Sequence, residues 1–331
     1  MQLRLLGKTG LTVSRIGLGL AALGRPGYMN LGHGDDLEHN YDVSAMESHA
    51  HAVLDAAWAG GIRYFDAARS YGRAEEFLRT WVRARNVNPA SVTVGSKWGY
   101  TYTAGWQVQA AKHEVKDHSL AVLTRQYAES NAHLGAYLSL YQVHSATLDS
   151  GLLDNQEVLQ ELGRLKATGL RIGLTLTGPD QAETLKKAIE IEIQEQRLFD
   201  VVQATWNLLE PSAGPTLQEA HEAGMGVIIK EVLANGRLTT RNADPSFKAK
   251  RQALDEAANS LQTTPDALAI AAALAQPWVD VVLSGAATTT HLDSNLAALT
   301  VGWNSEVANS LQFLKERPQE YWSARSRLAW N

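Results

Sequence analysis

The stretch that decides the fold runs from Leu138 to Leu176 and reads LSLYQVHSATLDSGLLDNQEVLQELGRLKATGLRIGLTL. It begins with the apolar run Leu138–Val143 and ends with the apolar run Ile172–Leu176, and both have the length of buried strands. Between them, apolar residues recur with the i, i+1, i+4, i+7 spacing of a helix, at Val158, Leu159, Leu162 and Leu165. Gly169 then supplies a helix stop. The stretch therefore predicts a strand–helix–strand unit with two parallel strands, because the helix carries the chain back across the sheet.

The same unit repeats along the whole chain. Alternating strands and helices are typical of parallel α/β proteins, and eight strands favour a closed (β/α)8 TIM barrel over an open sheet. No linker or low-complexity tract divides the chain, so we expect one domain over residues 1–331. The eight predicted strands are Ile16–Leu20, Ile62–Phe65, Val92–Val94, Leu138–Val143, Ile172–Leu176, Val201–Ala204, Val227–Ile229 and Val279–Leu283.

Three segments lie outside the repeated units. The N-terminus predicts a β-hairpin, with Leu3–Leu6 and Leu11–Val13 flanking the glycine-bounded turn Gly7–Gly10. A long loop that is rich in glycine and histidine, Gly24–Tyr41, follows the first predicted strand. A C-terminal tail begins at Ser305. Because the loops at the C-terminal ends of the strands form the functional site of a TIM barrel, we expect the long first loop on that face.

Composition excludes several classes of function. The chain has 331 residues, 45% of them hydrophobic, and 30 − 35 gives a formal net charge of −5 without a basic patch, which argues against nucleic-acid binding. Without cysteine there are no disulfides, zinc–thiolate sites or iron–sulfur clusters. The longest apolar run, Ala267–Ala275, is too short to span a membrane, and the N-terminus lacks the features of a signal peptide. We therefore expect a cytoplasmic protein.

Polar residues follow three neighbouring predicted strands. Asp66 and Tyr71 come after the second strand, Lys97 after the third and His144 after the fourth. Each of these residues alone is weak evidence for a catalytic site, since an aspartate at a strand end often caps neighbouring backbone groups and a histidine is often an ordinary packing residue. Together, they fit carbonyl reduction. Tyr71 is the candidate general acid, and an ammonium nearby is expected to lower its pKa. A carboxylate would hold that lysine, and a neutral histidine could donate a hydrogen bond to the substrate oxygen.

These residues and their surroundings resemble the aldo-keto reductase family over nearly the whole chain. LGKTGLTVSRIGLG at Leu6–Gly19 is similar to the opening of the family, and GIRYFD at Gly61–Asp66 with the later Tyr71 is similar to its second strand and tyrosine loop. GSKWG at Gly95–Gly99 and LYQVH at Leu140–His144 resemble the next two strands. The resemblance implies NAD(P)H bound over the barrel mouth without a Rossmann domain. It also implies hydride transfer from nicotinamide C4, with Tyr71 as the acid that protonates the carbonyl of a small aldehyde or ketone.

The nicotinamide end departs from the family pattern. Gln203 resembles the carboxamide-binding glutamine of the family. Thr175 and Leu176 stand where the family has Ser-Asn, so Thr175 is expected to keep one polar contact. Lys230 stands where an aromatic residue stacks on the nicotinamide, and a tryptophan or Tyr28 is the candidate replacement for that ring.

The nucleotide end follows the family only in part. Leu233 and Asn235 belong to a segment that resembles the pyrophosphate-covering loop. Gly285 opens the last loop, where His291 stands in place of a phosphate-binding arginine and Asn295 resembles an adenine-contacting asparagine. A neutral imidazole is a weaker phosphate partner than guanidinium, although backbone amides and threonine hydroxyls at a helix N-terminus can also bind phosphate. The resemblance favours NADP(H), with NAD(H) as the alternative.

Other interpretations stay open at this point. Gly17–Ala22 fits a G-x-G-x-x-A dinucleotide fingerprint, but the glycines and proline that follow favour the end of a barrel strand. His33, His39, His49 and His51 match no metal-binding motif, so we predict no metal site. A Schiff-base aldolase would use Lys97 or Lys230 as its nucleophile. A non-enzymatic, nucleotide-sensing partner protein, similar to potassium-channel β subunits, is the other alternative. The sequence does not indicate which substrate the protein takes or how many copies of the chain associate.

Overall fold

Eight parallel strands close into a barrel in the computed structural model, which describes all 331 residues. The strands are β1 Leu3–Leu5, β2 Thr12–Ser14, β3 Ile16–Gly19, β4 Tyr64–Asp66, β5 Thr93–Trp98, β6 Tyr100–Tyr102, β7 Glu114–Lys116, β8 Leu138–Ala146, β9 Arg171–Leu176, β10 Glu192–Ile193, β11 Gln196–Arg197, β12 Val201–Thr205, β13 Gly226–Lys230 and β14 Val281–Ser284. The barrel order is β3, β4, β5, β8, β9, β12, β13, β14, and β14 pairs with β3 to close it. The predicted (β/α)8 barrel is confirmed.

Helices connect consecutive barrel strands and cover the outside of the barrel. The helices are α1 His33–Asp36, α2 Val43–Ala59, α3 Ala74–Ala84, α4 Leu120–Leu134, α5 Gln156–Ala167, α6 Gln181–Ile189, α7 Gly214–Glu222, α8 Lys248–Ser260, α9 Pro265–Leu274, α10 Thr289–Ala297, α11 Ser305–Ser310 and α12 Pro318–Ser326. Helix α5 ends beside Gly169, whose φ of 99° is left-handed and favours glycine, as predicted. None of the helices combines the length and the apolar character needed to cross a bilayer.

The predicted N-terminal hairpin closes the N-terminal end of the barrel. Strands β1 and β2 pair antiparallel, and the buried Leu6 packs in a cluster with barrel-interior residues such as Val201 and Val281. Asp280 accepts hydrogen bonds from the backbone N–H groups of Gly7 (3.1 Å) and Val227 (3.0 Å). Because this end is sealed, access to the barrel interior is from the opposite face.

Tyr64 occupies the middle of the barrel and depends on two glycines. A Cβ on Gly17 would lie 2.7 Å from the Tyr64 ring, and a Cβ on Gly95 would lie 2.6 Å from its hydroxyl. No larger residue fits at either position without displacing the ring. The Tyr64 hydroxyl donates to Asp66 Oδ1 at 3.1 Å. The barrel packing therefore supports the first residue of the candidate site from below.

The long first loop and the C-terminal tail meet over the C-terminal face. The backbone of Tyr28 exchanges two hydrogen bonds with that of Asn331, of 3.1 and 3.2 Å. Gly24 and Gly72 approach so closely that a Cβ on Gly72 would lie 2.4 Å from the Gly24 carbonyl oxygen. A hairpin of β6 and β7, which the sequence pattern did not predict, adds a further wall after β5. These segments cover the C-terminal end of the barrel, where we expect the functional site.

Candidate active site

A cavity of about 250 Å³ opens at the C-terminal ends of the barrel strands. Lys97 and Thr175 are not part of its lining, although both are predicted site residues. The other ten predicted site residues line it: Asp66, Tyr71, His144, Gln203, Lys230, Leu233, Asn235, Gly285, His291 and Asn295. The fold therefore brings residues from five barrel strands, or from the segments that follow them, to one cavity.

Asp66 is the centre of a buried polar network. Lys97 donates from Nζ to Asp66 Oδ2 and, at 3.0 Å, to the carbonyl oxygen of Ala67. The side chains of Lys97 and Asp66 are only 1% and 2% exposed. Gln142 and Gln203 donate to Asp66 Oδ1 at 3.2 and 3.0 Å, in addition to the Tyr64 hydroxyl below. A buried charge pair of this kind is held because either charge alone would be costly to bury.

Tyr71 lies beside this pair but is not activated by it as the sequence suggested. Lys97 Nζ is 4.7 Å from the centre of the Tyr71 ring, and its protons go to Asp66 and Ala67. Burial, and then the charge of Asp66, raise the pKa of Tyr71 well above its usual value. The expected lowering of the Tyr71 pKa is therefore wrong for this structure, because burial and the charge of Asp66 both act in the opposite direction. Tyr71 consequently holds its proton at neutral pH.

His144 faces the same space from the next strand. Its ring meets the Tyr71 ring edge-on at 5.5 Å and the Tyr100 ring edge-on at 5.0 Å. Nδ1 lies 3.4 Å from Ser70 Oγ, whereas Nε2 has no partner in the protein. Burial, followed by the charges of Lys97 and other nearby cations, lowers the pKa of His144 well below its usual value. The imidazole is therefore neutral at pH 7 and can donate one hydrogen bond, as predicted.

Thr175 is the predicted cofactor contact that the fold does not bring to the cavity. Its hydroxyl accepts from the backbone N–H of Ser145 at 2.7 Å, and the residue is fully buried. Leu176 is buried in the main hydrophobic core. Ser145 lines the cavity instead, with a left-handed φ of 56° directly after His144. Sequence reasoning missed Ser145 because only the irregular end of β8 exposes it.

Lys230 ends β13 and lines the same cavity as Tyr71 and His144. Its Nζ donates to Thr205 Oγ1 at 2.9 Å and lies 3.6 Å from Glu231 Oε1. Arg325, from α12, binds both carboxylate oxygens of Glu231. Tyr28 also lines the cavity. It is therefore available as a candidate for the aromatic residue that stacks on the nicotinamide in the family and that Lys230 replaces here.

The far end of the cavity contains a charged pair that the sequence did not reveal. Arg241 binds Asp36 through both terminal nitrogens, one of them at 2.8 Å, and donates to the carbonyl oxygens of Leu31 and Gly32 at 3.1 Å. His291 Nε2 lies 3.2 Å from Arg241 and 3.8 Å from Asp36. Arg241 and His291 line the cavity, so His291 is joined there by a guanidinium from the loop after β13.

The residues along this cavity fit a dinucleotide. Asn235 and Asn295 both line it, and each has a buried side-chain oxygen without a hydrogen-bond partner in the protein. Asn295 is held in position by donating to Ser284 Oγ at 2.8 Å. Unpaired buried acceptors are costly unless a ligand satisfies them, and the amino group of an adenine is one such donor. Tyr71 and His144 line the same cavity, and so does Arg241, whose guanidinium is paired with Asp36.

Two competing interpretations of the sequence do not fit this geometry. Strand β3 ends at Gly19, and a turn rather than a helix follows, so Gly17–Ala22 is a barrel strand end and not a dinucleotide fingerprint. No group of three or more His, Cys, Asp or Glu side chains is arranged to hold a metal ion. The four histidines of the first loop and α2 have separate surroundings, and His33 is fully buried.

Comparison with known proteins agrees with this geometry. The chain is 27% identical to the uncharacterised oxidoreductase YqkF of Bacillus subtilis (strain 168), over 90% of this chain and 91% of that protein. It is also 27% identical to pyridoxal 4-dehydrogenase of Microbacterium luteolum, over 74% of each chain. The fold is similar to that of the aldo-keto reductase AKR11C1 from Bacillus halodurans, with a TM-score of 0.73, 22% identity and coverage of 96% of this chain and 97% of that one. The Aldo/keto reductase family profile matches residues 15–316. The chain therefore belongs to the aldo/keto reductase family and is an NAD(P)-dependent oxidoreductase.

Proposed function

We propose that this protein reduces a small aldehyde or ketone to the alcohol, or catalyses the reverse reaction, with Tyr71 as the general acid. The observation that carries the proposal is that Asp66, Tyr71 and His144 line one cavity, with Lys97 bound to Asp66 beside it. A bound nicotinamide would supply the hydride from C4. Everything else in the reaction depends on how the protein orients the carbonyl and supplies its proton.

Each of the four residues has one task in this proposal. His144 donates from its free nitrogen to the carbonyl oxygen, because its neutral ring has one N–H to give. Tyr71 holds a proton next to the same oxygen and transfers it as negative charge develops there. Lys97 and Asp66 neutralise each other, and the buried pair holds the Tyr71 ring in position by packing against it. Gln203 and Ser145 would hold the nicotinamide carboxamide, because both line the cavity.

We also propose that the site takes NADP(H) in preference to NAD(H). Arg241, His291 and the N-terminus of α10 are the groups suited to bind a 2′-phosphate. Asp36 opposes this preference, because its carboxylate already neutralises Arg241. NAD(H) is therefore expected to bind as well. A measured NADH preference in the native protein would contradict this part of the proposal.

A substitution at Tyr71 tests the reaction. Tyr71→Phe removes only the acidic hydroxyl, so turnover should fall about 10²–10⁴-fold while NADPH still binds. The matched control is Tyr127→Phe on α4, which removes a hydroxyl outside the cavity and should leave turnover unchanged. The assay follows NADPH oxidation with a panel of aldehydes, ketones and aldoses, including pyridoxal. Full activity in Tyr71→Phe would refute the assigned role.

The same measurements separate the alternative functions. Borohydride reduction in the presence of an aldehyde would attach it covalently to Lys97 or Lys230 if the protein were a Schiff-base aldolase. NADPH binding without turnover of any carbonyl in the panel would favour a nucleotide-sensing partner protein. The proposed reductase predicts turnover and no covalent lysine adduct.

A further inference from the structure

The ammonium group of Lys230 lies at the reactive end of the cavity. Lys230 pairs in register with Thr205 on the adjacent strand, and its Nζ donates to the hydroxyl of that residue. Ile228, two residues earlier, points into the barrel, so Lys230 points the same way at the barrel mouth. The positive charge of Lys230 is one of those that lower the pKa of His144, as expected of a close neighbour. A ring that reacts beside His144 must also lie near Lys230.

This charge is not cancelled by its neighbours. Glu231 is the nearest carboxylate, with Oε1 3.6 Å from Nζ, but Arg325 binds both of its oxygens. The two cations and one anion leave a net charge of +1 at this end. Burial lowers the pKa of Lys230 to about 8, so the ammonium form still predominates at pH 7. The cluster therefore presents one uncompensated positive charge to the bound cofactor.

Hydride transfer changes the charge of the group that faces this cluster. In carbonyl reduction, the carbonyl carbon receives a hydride with its two electrons and the oxygen receives one proton. The nicotinamide ring is neutral before this transfer and carries one positive charge after it. A fixed cation nearby leaves the neutral ring almost unaffected and repels the charged one. An aromatic residue at position 230, which the family resemblance implies, would carry no such charge.

We propose that Lys230 distinguishes the two oxidation states of the nicotinamide, weakening the binding of the oxidised cofactor relative to the reduced one. The inference rests on the proposed function and goes beyond it, because it assigns to one side chain the difference in affinity between the two oxidation states. The site fills with the reduced cofactor and releases the oxidised one readily, while the same charge opposes the positive charge that develops on the ring during hydride transfer. Lys230 acts here as a positioned charge and not as a nucleophile.

Calorimetric titration with NADPH and NADP⁺ tests this assignment. The wild-type protein should bind NADPH more tightly, and Lys230→Met should lower the ratio Kd(NADP⁺)/Kd(NADPH) by about tenfold or more, mainly through tighter NADP⁺ binding. Lys230→Arg keeps the charge and should keep the ratio. Lys186→Met, which removes an exposed lysine on α6, is the matched control and should change neither constant. Lys230→Gln provides a second uncharged side chain if Lys230→Met does not fold.

Three outcomes would overturn the inference. An unchanged ratio in an uncharged variant that still binds both nucleotides would show that Lys230 does not distinguish them. A covalent adduct on Lys230 after borohydride treatment with an aldehyde would make it a nucleophile. Failure of the wild-type protein to bind either nucleotide would refute the proposed function and this inference with it. Normal binding of both nucleotides with an unchanged ratio refutes the inference alone, so the two failures are distinguishable.

Discussion

Replacing Lys97 with methionine tests the buried charge pair at the base of the site. Methionine has a similar length, so the substitution removes the ammonium group and leaves most of the packing. Asp66 then keeps only uncharged donors, from Tyr64, Gln142 and Gln203. Removing one partner of a buried pair typically costs about 3–5 kcal/mol, because the other charge stays buried without compensation. Since three donors remain, we expect a loss near the lower end, about 3 kcal/mol in the free energy of unfolding.

Urea unfolding followed by tryptophan fluorescence measures this loss, and the chain has nine tryptophans to report it. The matched control is Lys187→Met, because Lys187 pairs with Asp154 on the surface, where their side chains are 40% and 68% exposed. Exposed pairs contribute roughly 0–1 kcal/mol, so the control should change stability by less than about 1 kcal/mol. The contrast between two lysines, each paired with an aspartate, isolates the effect of burial.

A double variant distinguishes the buried charge from lost packing. In Asp66→Asn combined with Lys97→Met, the side chain at position 66 is neutral and can still accept from its three donors. The double variant should therefore be more stable than Lys97→Met alone, by about 1–3 kcal/mol. Equal stability of the two would mean that packing, and not charge, explains the loss. A loss below 1 kcal/mol in Lys97→Met itself would refute the reasoning.

Two further predictions concern the cofactor and the pH dependence. Asp36→Asn should raise the ratio Kd(NADH)/Kd(NADPH) about tenfold, because Arg241 loses its neutralising carboxylate and NADPH then binds more tightly. The control is Asp35→Asn, which changes an exposed neighbouring carboxylate. An equal change of the ratio in both variants would contradict the assignment. Because burial and nearby cations keep the pKa of His144 well below 6.5, the histidine stays neutral until the pH falls through that lowered value. The kcat/KM for reduction should therefore show no inflection near pH 6.5, and an inflection there that His144→Asn removes would contradict this.

The barrel and the proximity of Asp66, Tyr71, Lys97 and His144 could be predicted because their signals are local. Each strand is a short apolar run, and each connection is a helix with its own periodicity, so the order of elements follows directly from the chain. Asp66, Lys97 and His144 each lie within the last three residues of a strand, and neighbouring parallel strands end on the same face. Gln203 could be predicted for the same reason, although its donation to Asp66 could not.

The nucleotide end could not be predicted, because its contacts join loops that are distant in sequence. Arg241 and Asp36 are 205 positions apart. Asp36 ends the four-residue helix α1, which is too short to show a periodic pattern, and Arg241 lies in a loop. The pKa shift of Tyr71 was predicted in the wrong direction for a different reason. Burial is its largest cause and the charge of Asp66 the next, and neither the depth of burial nor the distance to Asp66 can be read from the sequence. Contacts between distant loops, and the burial and charges around a side chain, are set only when the chain is packed.

The two ends of the cavity should control different properties of cofactor binding. The adenosine portion is identical in the oxidised and reduced forms, so Asp36 and Arg241 contribute equally to the binding of both and cannot distinguish the two oxidation states. The nicotinamide is identical in NADH and NADPH, so Lys230 cannot distinguish the 2′-phosphate. Asp36→Asn should therefore leave the ratio of oxidised to reduced binding unchanged, and Lys230→Met should leave the NADPH preference unchanged. Because the two residues share no partner, their effects in a double variant should add within about 0.5 kcal/mol. Strong coupling between them would mean that the cofactor does not span the cavity from one end to the other.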